Sequence, residues 1–313
     1  MKRVCIAGGT GLIGARLLEL LADSDYHVVS LTRNLKKSIK LLPKAKQHIL
    51  FDAASTEFRE AIGNSFAIIN LSGASIAGKR WSKSYKKVIL QSRIKTTAIL
   101  SEAINKSSNP PKVFVNASAV GIYENSGDNT ISEKSQTGHD FLADVCKQWE
   151  AEAFKSWEKC RVVTARTGIV LDKSGGALAK MLLPFKLFLG GPLGSGKQWM
   201  PWIHIEDTVR LYKWVIENEN ISGPVNFTAP KPVQMKTFAK TIGNVLKRPS
   251  VFKVPSFLLK IVLGESSVIV LSGQNSIPQK AMENGFKFKY SGLKEALISI
   301  LKREELLKEE NLL

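Results

Sequence analysis

The chain has 313 residues, enough for one large domain or two of ordinary size, and 44% of them are hydrophobic against 23% charged, which excludes a disordered polymer. A net charge of +18 raises the question of nucleic acid. The lysines, however, are spread as singles and doublets, with no arginine-rich run or basic–aromatic interleaving. No nucleic-acid partner is expected, and the charge reads as a solvated surface that favours capture of an anionic cofactor.

Met1-Lys2-Arg3-Val4 leads directly into a strand, without a secretory apolar region. The most apolar stretch, Phe257 to Leu271, is interrupted by Lys260 and Glu265 and is too short to span a bilayer. A soluble, cytoplasmic protein with no membrane partner is expected. Cys5, Cys146 and Cys160 form no CxxC pair and have no His at ligand spacing, so no metal site is expected and the thiols read as small buried groups.

In chain order, Val4–Gly9 reads as a strand, Leu12–Ala22 as a helix, and His27–Arg33, His48–Phe51 and Ala67–Ser72 as further strands. Lys83 to Lys106 has helical periodicity and stops before Asn109-Pro110-Pro111. Val113–Ser118 is a strand, Phe141–Trp157 a helix and Arg161–Leu171 a strand. This alternation predicts an α/β, Rossmann-type, doubly wound parallel sheet. From about Gly175 the pattern changes, with a glycine-rich loop from Gly190 to Gly196. Val209–Glu217 then reads as a helix and Val225–Thr228 as a short strand. The remainder is mostly helical, so a domain over 1–228 and a small C-terminal domain over 229–313 are expected.

Gly8-Gly9-Thr10-Gly11-Leu12-Ile13-Gly14 closes the first strand and opens the first helix, the context a dinucleotide phosphate loop requires. Gly8 or Gly9 allows the tight turn, Gly11 lets backbone approach a pyrophosphate, and Gly14 permits close helix–strand packing. The amides of the helix start favour phosphate. An NAD site places an acid at the end of the second strand; here stand Ser30-Leu31-Thr32-Arg33-Asn34. Arg33 is suited to a 2′-phosphate, with Thr32 or Asn34 adding hydrogen bonds, although a surface arginine opening a loop is also common. NADP(H) is therefore the expected cofactor, with NAD(H) second.

With Asn70-Leu71-Ser72-Gly73, Ser92-Arg93, Leu182-Leu183-Pro184-Phe185, Gly190 to Gly196, Pro201-Trp202-Ile203-His204-Ile205-Glu206-Asp207 and the run from Ile277-Pro278 to Gly285-Phe286, the chain resembles the extended short-chain dehydrogenase/reductase superfamily. More narrowly, it is similar to the atypical, sugar-nucleotide-epimerase-like epimerase-family proteins that end in a small domain of unknown function. The resemblance implies that Leu71 and Ser72 lie beside the cofactor ribose and that Asp52 approaches adenine. It also implies that Arg93 points at the cofactor phosphates or ribose, that Ser118 is the catalytic Ser/Thr, and that Thr167 to Val170 pass the nicotinamide. A homodimer through helices such as Lys83–Lys106 fits the superfamily.

The superfamily's Tyr-x-x-x-Lys pair is missing from the helix where it belongs: Phe141 to Glu150 holds Lys147 but no tyrosine, and the spacing occurs only at Tyr290 and Lys294, near the other end of the chain. Ser118 reads either as a catalytic donor or as a strand-end residue satisfying backbone. Tyr123 and Lys147 stand as replacements for the missing pair, against packing and solvated-helix roles. Cys146 has only its location to suggest a nucleophile. His204 and Asp207 read as a proton shuttle or a buried corner, and Trp81 as a substrate-mouth or packing residue. Two functions follow. One is an NADP(H)-binding oxidoreductase or epimerase-like enzyme acting on an unknown small polar substrate between the Rossmann domain and its cap. The other is a catalytically degenerate NADP(H)-binding regulator or scaffold.

Overall fold

The computed structural model describes residues 1–301. Strands β1 (Lys2–Ala7), β2 (Tyr26–Thr32), β3 (Gln47–Leu50), β4 (Ala67–Asn70), β5 (Val113–Ala119), β6 (Arg161–Thr167) and β7 (Gly223–Phe227) form one sheet in the order β7-β6-β5-β4-β1-β2-β3. The first six pair in parallel. Their apolar runs are buried almost without alternation, because helices cover both faces of such a sheet. The order reverses between β1 and β4, where ligands of open α/β sheets bind.

Five helices follow their strands: α1 (Leu12–Ala22), α2 (Leu35–Leu41), α3 (Thr56–Gly63), α4 (Lys83–Lys106) and α5 (Phe141–Phe154). The bounds of α1 and α4 coincide with the sequence expectation; Ser82 Oγ caps α4 by accepting from the Tyr85 amide at 3.1 Å. The expected strand Arg161–Leu171 is divided at Gly168. A Cβ there would collide with the Pro201 carbonyl, and the chain continues as Ile169–Leu171, paired with Trp202–His204.

The chain forms two compact units. One comprises residues 1–122, 137–167 and 208–225; the other comprises 123–136, 168–207 and 226–301 of the described residues. A sequence boundary at 228/229 thus becomes several crossings, because two short strand pairs, Thr130–Ile131 with Asn275–Ser276 and Trp199–Met200 with Val233–Gln234, join 123–136 and 168–207 to the C-terminal residues. The second unit contains α6 (Gly176–Lys186), α8 (Met235–Leu246) and α9 (Ser256–Leu263), and α7 (Ile205–Glu217) crosses from it into the first. Its core joins Leu178, Leu182, Trp202, Phe238 and Leu297. No described helix is long and apolar enough to cross a membrane.

Candidate functional site

Parallel register sets Ala7 of β1 beside Asn70 of β4, and the Leu71 amide donates to the Ala7 carbonyl at 2.8 Å. The turn after β1 therefore lies against the turn after β4. Gly8, at φ +82°, has no room for a side chain: a Cβ would stand 2.8 Å from the Leu71 carbonyl carbon. A Cβ on Gly14, which is buried in α1, would lie 2.7 Å from Gly9 Cα. Gly11 differs. It is exposed, and its Cβ would meet only the Gly8 carbonyl at 3.3 Å, so its lack of a side chain leaves free space at the helix start. Gly11 gives α1 no side-chain cap and the first turn holds no acid. The amides at Leu12 and Ile13 thus begin a helix whose positive end is left for an external anion. Thr10, half-exposed, makes no hydrogen bond among the described residues.

At the end of β2, Thr32 Oγ1 accepts from the Asn34 amide at 3.1 Å, and Asn34 Oδ1 caps α2 through the Lys37 amide at 2.9 Å. That turn presents Arg33, which is exposed and has no ion-pair partner among the described residues. Asp52, after β3, uses Oδ1 to accept from the Ala54 amide at 3.0 Å. A bare glycine cradle, an uncapped helix start and an unpaired guanidinium at the next strand end fit a dinucleotide carrying an extra phosphate.

Beneath the β4 turn lies a buried polar network. Asn70 donates to Asn116 Oδ1 at 2.7 Å and Thr97 Oγ1 at 3.0 Å, while Trp149 Nε1 donates to the same Thr97 oxygen at 2.9 Å. Asn70 Oδ1 accepts from the Ser72 amide at 3.1 Å, so β4, β5, α4 and α5 together fix the Leu71–Ser72 turn. Arg93 lies 5.0 Å over the Trp149 ring and donates to the Ala74 and Ile89 carbonyls. It has no carboxylate partner among the described residues, and burial lowers its pKa.

Ser118, near the end of β5, donates its hydroxyl to Glu150 Oε1 at 2.6 Å. Arg166 on β6 holds the same carboxylate from Nε at 2.9 Å and Nη2 at 2.8 Å, with both ion-paired side chains 7% exposed. Glu150 and Arg166 were absent from the sequence candidates. Arg166 carries the signal that would have found them: a charge inside the buried run Arg161–Thr167 needs a buried counter-ion. Burial first, and the Glu150 charge second, push the Cys146 thiol up to about 12, against smaller opposing effects of Arg93, the Ala119 backbone and Ser118. It is a neutral thiol at pH 7, which removes the case for a nucleophile.

The sequence profile of the NAD dependent epimerase/dehydratase family matches residues 4–227. The chain belongs to this family. A second profile, a domain of unknown function (DUF1731), matches residues 254–300. The chain is 41% identical over 300 residues to the chloroplastic epimerase family protein SDR39U1 homolog of Arabidopsis thaliana, covering 95% of this chain and 86% of the relative. It is 39% identical to the epimerase family protein YfhF of Bacillus subtilis, with 95% and 97% covered. Among solved structures, human epimerase family protein SDR39U1 with NADPH superposes at a TM-score of 0.88, with 34% identity and 96% and 99% coverage. A nucleoside-diphosphate sugar epimerase of Corynebacterium glutamicum gives 0.77 at 27% identity, covering 99% of this chain and 61% of that one.

Within this member of the epimerase family, Lys147 pairs with Asp144 Oδ1 at 2.8 Å and donates to the Gly138 carbonyl at 3.0 Å, so its ammonium serves the start of α5. Tyr123, in the second unit, is buried and donates to Asn226 Oδ1 at 2.7 Å. Thr167 donates to the Ala165 carbonyl at 3.1 Å. Trp81 is buried edge-on against Phe141 and donates to the Ile76 carbonyl. In the second unit His204 stacks on Tyr290 at 3.8 Å, and Asp207 accepts from the Lys289 and Tyr290 amides. Burial lowers the His204 pKa to about 4, against the opposing charges of Glu206 and Asp207. These contacts describe a packed corner.

Proposed function

We propose that this epimerase-family protein binds NADP(H) along Gly8, Thr10, Gly11, Leu12, Ile13 and Gly14, with the 2′-phosphate on Arg33 and Thr32. In this reading it is an oxidoreductase or epimerase-like enzyme for a small polar substrate held near Ser118. The observation that carries it is the bare glycine cradle facing the uncapped start of α1, with an unpaired Arg33 at the end of the neighbouring strand. The NADPH bound by the human relative supports the choice of cofactor. In this reading Leu71 and Ser72 border the cofactor ribose, Asp52 the adenine, Thr167 the nicotinamide, and Arg93 the phosphates or ribose.

When bound, the cofactor supplies hydride transfer. The protein's part is to hold the reacting oxygen. Because the Ser118 hydroxyl donates its hydrogen bond to Glu150, its oxygen offers lone pairs and is set to accept a hydrogen bond from a substrate hydroxyl. Donating to a carbonyl would require the hydroxyl to turn away from Glu150. Arg166 holds the Glu150 carboxylate in place from two nitrogens, so Glu150 and Arg166 are positioning residues for Ser118.

The second reading, a regulator that binds NADP(H) without turnover, is favoured by one observation: the α5 groups beside Ser118 are a neutral thiol and an ion-paired carboxylate. Nicotinamide fluorescence titration, followed by an absorbance screen against carbonyl and carbinol compounds, separates the two. Turnover that Ser118→Ala abolishes while NADPH affinity stays constant supports the enzyme. Tight binding without turnover across the panel supports the regulator, and no binding rejects both.

A further inference from the structure

The second unit carries an apolar face that its core does not use. Leu187, Phe188 and Leu189, just past α6, and Phe257, Ile261 and Val262 on α9 are each more than half exposed. None of the eight residues of α9 is buried. The two groups are neighbours: the Phe252 amide donates to the Gly190 carbonyl and the Val254 amide to the Pro192 carbonyl, both at 3.1 Å. Gly191 lies so close to the Phe252 backbone that a Cβ there would collide with it. Helix α9 begins two residues after Val254, so the segment after α6 and the approach to α9 form one surface.

The charge around this surface is mostly positive, with Glu265 just past α9 as the nearby acid. Residues 173–205 contain four lysines and no acid, and residues 220–264 contain seven Lys or Arg and no acid. Arg248 lies 4.3 Å over the Phe188 ring. Lys186, Lys253 and Lys260 are exposed and have no ion-pair partner among the described residues. A second copy of the same face would oppose each cation with its duplicate, which disfavours self-association there. Apolar side chains projecting from a short helix within a collar of lysines suit a fluid, anionic boundary.

We propose that this face docks the protein reversibly on anionic phospholipid. Phe257, Ile261 and Phe188 enter the headgroup–acyl boundary while Lys186, Arg248, Lys253 and Lys260 meet lipid phosphates. The sequence expectation of no membrane partner rested on the failure to span a bilayer, and interfacial contact needs no span. Each cation near such a surface contributes about fivefold to partitioning.

The test is flotation of the full chain with vesicles of phosphatidylcholine alone or mixed with phosphatidylglycerol. The proposal expects binding to the mixed vesicles at least about tenfold stronger than to phosphatidylcholine, weakened by high salt. Phe257→Ser/Ile261→Ser, at two exposed positions, should reduce that binding about tenfold or more and leave thermal stability and NADPH affinity unchanged. Absence of binding to the mixed vesicles, or equal binding to both compositions, overturns it. So does a wild-type dimer that the double substitution converts to monomer, since the face would then belong to a second copy.

Discussion

Removing the Glu150 carboxylate tests how the reaction-side serine is held. Glu150→Ala strips one hydrogen bond from Ser118 and two from Arg166, and takes the Glu150 carboxylate away from a guanidinium that is 7% exposed. Breaking a buried pair in this way costs about 3–5 kcal/mol, a large share of the ~5–15 kcal/mol that holds a typical domain together. Glu150→Gln keeps the volume and one acceptor and should cost about 1.5–3 kcal/mol. Glu150→Leu/Arg166→Met removes both charges and should recover most of the loss, since apolar replacements of buried pairs are often neutral. Urea unfolding followed by tryptophan fluorescence ranks the variants by midpoint. The order Ala, Gln, double variant, from least to most stable, is expected. A Glu150→Ala loss below about 1 kcal/mol would refute the reasoning, because the pair would then be effectively solvated.

The glycine loop separates folding from ligand binding. Gly14→Ala, whose Cβ meets backbone at 2.7 Å, should destabilise by about 1–3 kcal/mol, seen as a lower urea midpoint. Gly11→Ala, with only a 3.3 Å contact, should keep its midpoint and instead weaken NADPH binding by about tenfold or more in a fluorescence titration. His204, with a folded pKa near 4 below the ordinary 6.5, binds its proton less readily than in the unfolded chain. Its contribution is therefore complete above pH 6.5 and lost as pH falls towards 4, by about 3 kcal/mol at most. His204→Gln should flatten the urea-midpoint profile across that window; an unchanged slope would show that other groups set it.

What the sequence made legible follows from local rules. Glycines at strand end and helix start mark the phosphate loop, and the Ser82 cap and the Asn109-Pro110-Pro111 stop bound α4. Helices α2 and α3 span only seven and eight residues, too short for periodicity to stand out. The Ser118–Glu150–Arg166 group was hidden because a lone Glu on a helix ordinarily reads as a solvated face. Its partners lie 32 and 16 residues away and meet it only once the sheet forms. The interleaving of the two units was equally invisible. It depends on two-residue strand pairs such as Asn275–Ser276 with Thr130–Ile131, which carry almost no pattern of their own.

The central claim is cofactor binding at the C-terminal ends of β1, β2 and β4, and its most direct test is a paired titration of wild-type and Arg33→Ala with NADPH and NADH. The account predicts that wild-type prefers NADPH and that Arg33→Ala loses about tenfold or more for NADPH alone, as expected for a lost charge-assisted phosphate contact. Equal affinity for both cofactors with no change in Arg33→Ala would contradict the 2′-phosphate assignment. Failure of wild-type to bind either would contradict the site itself.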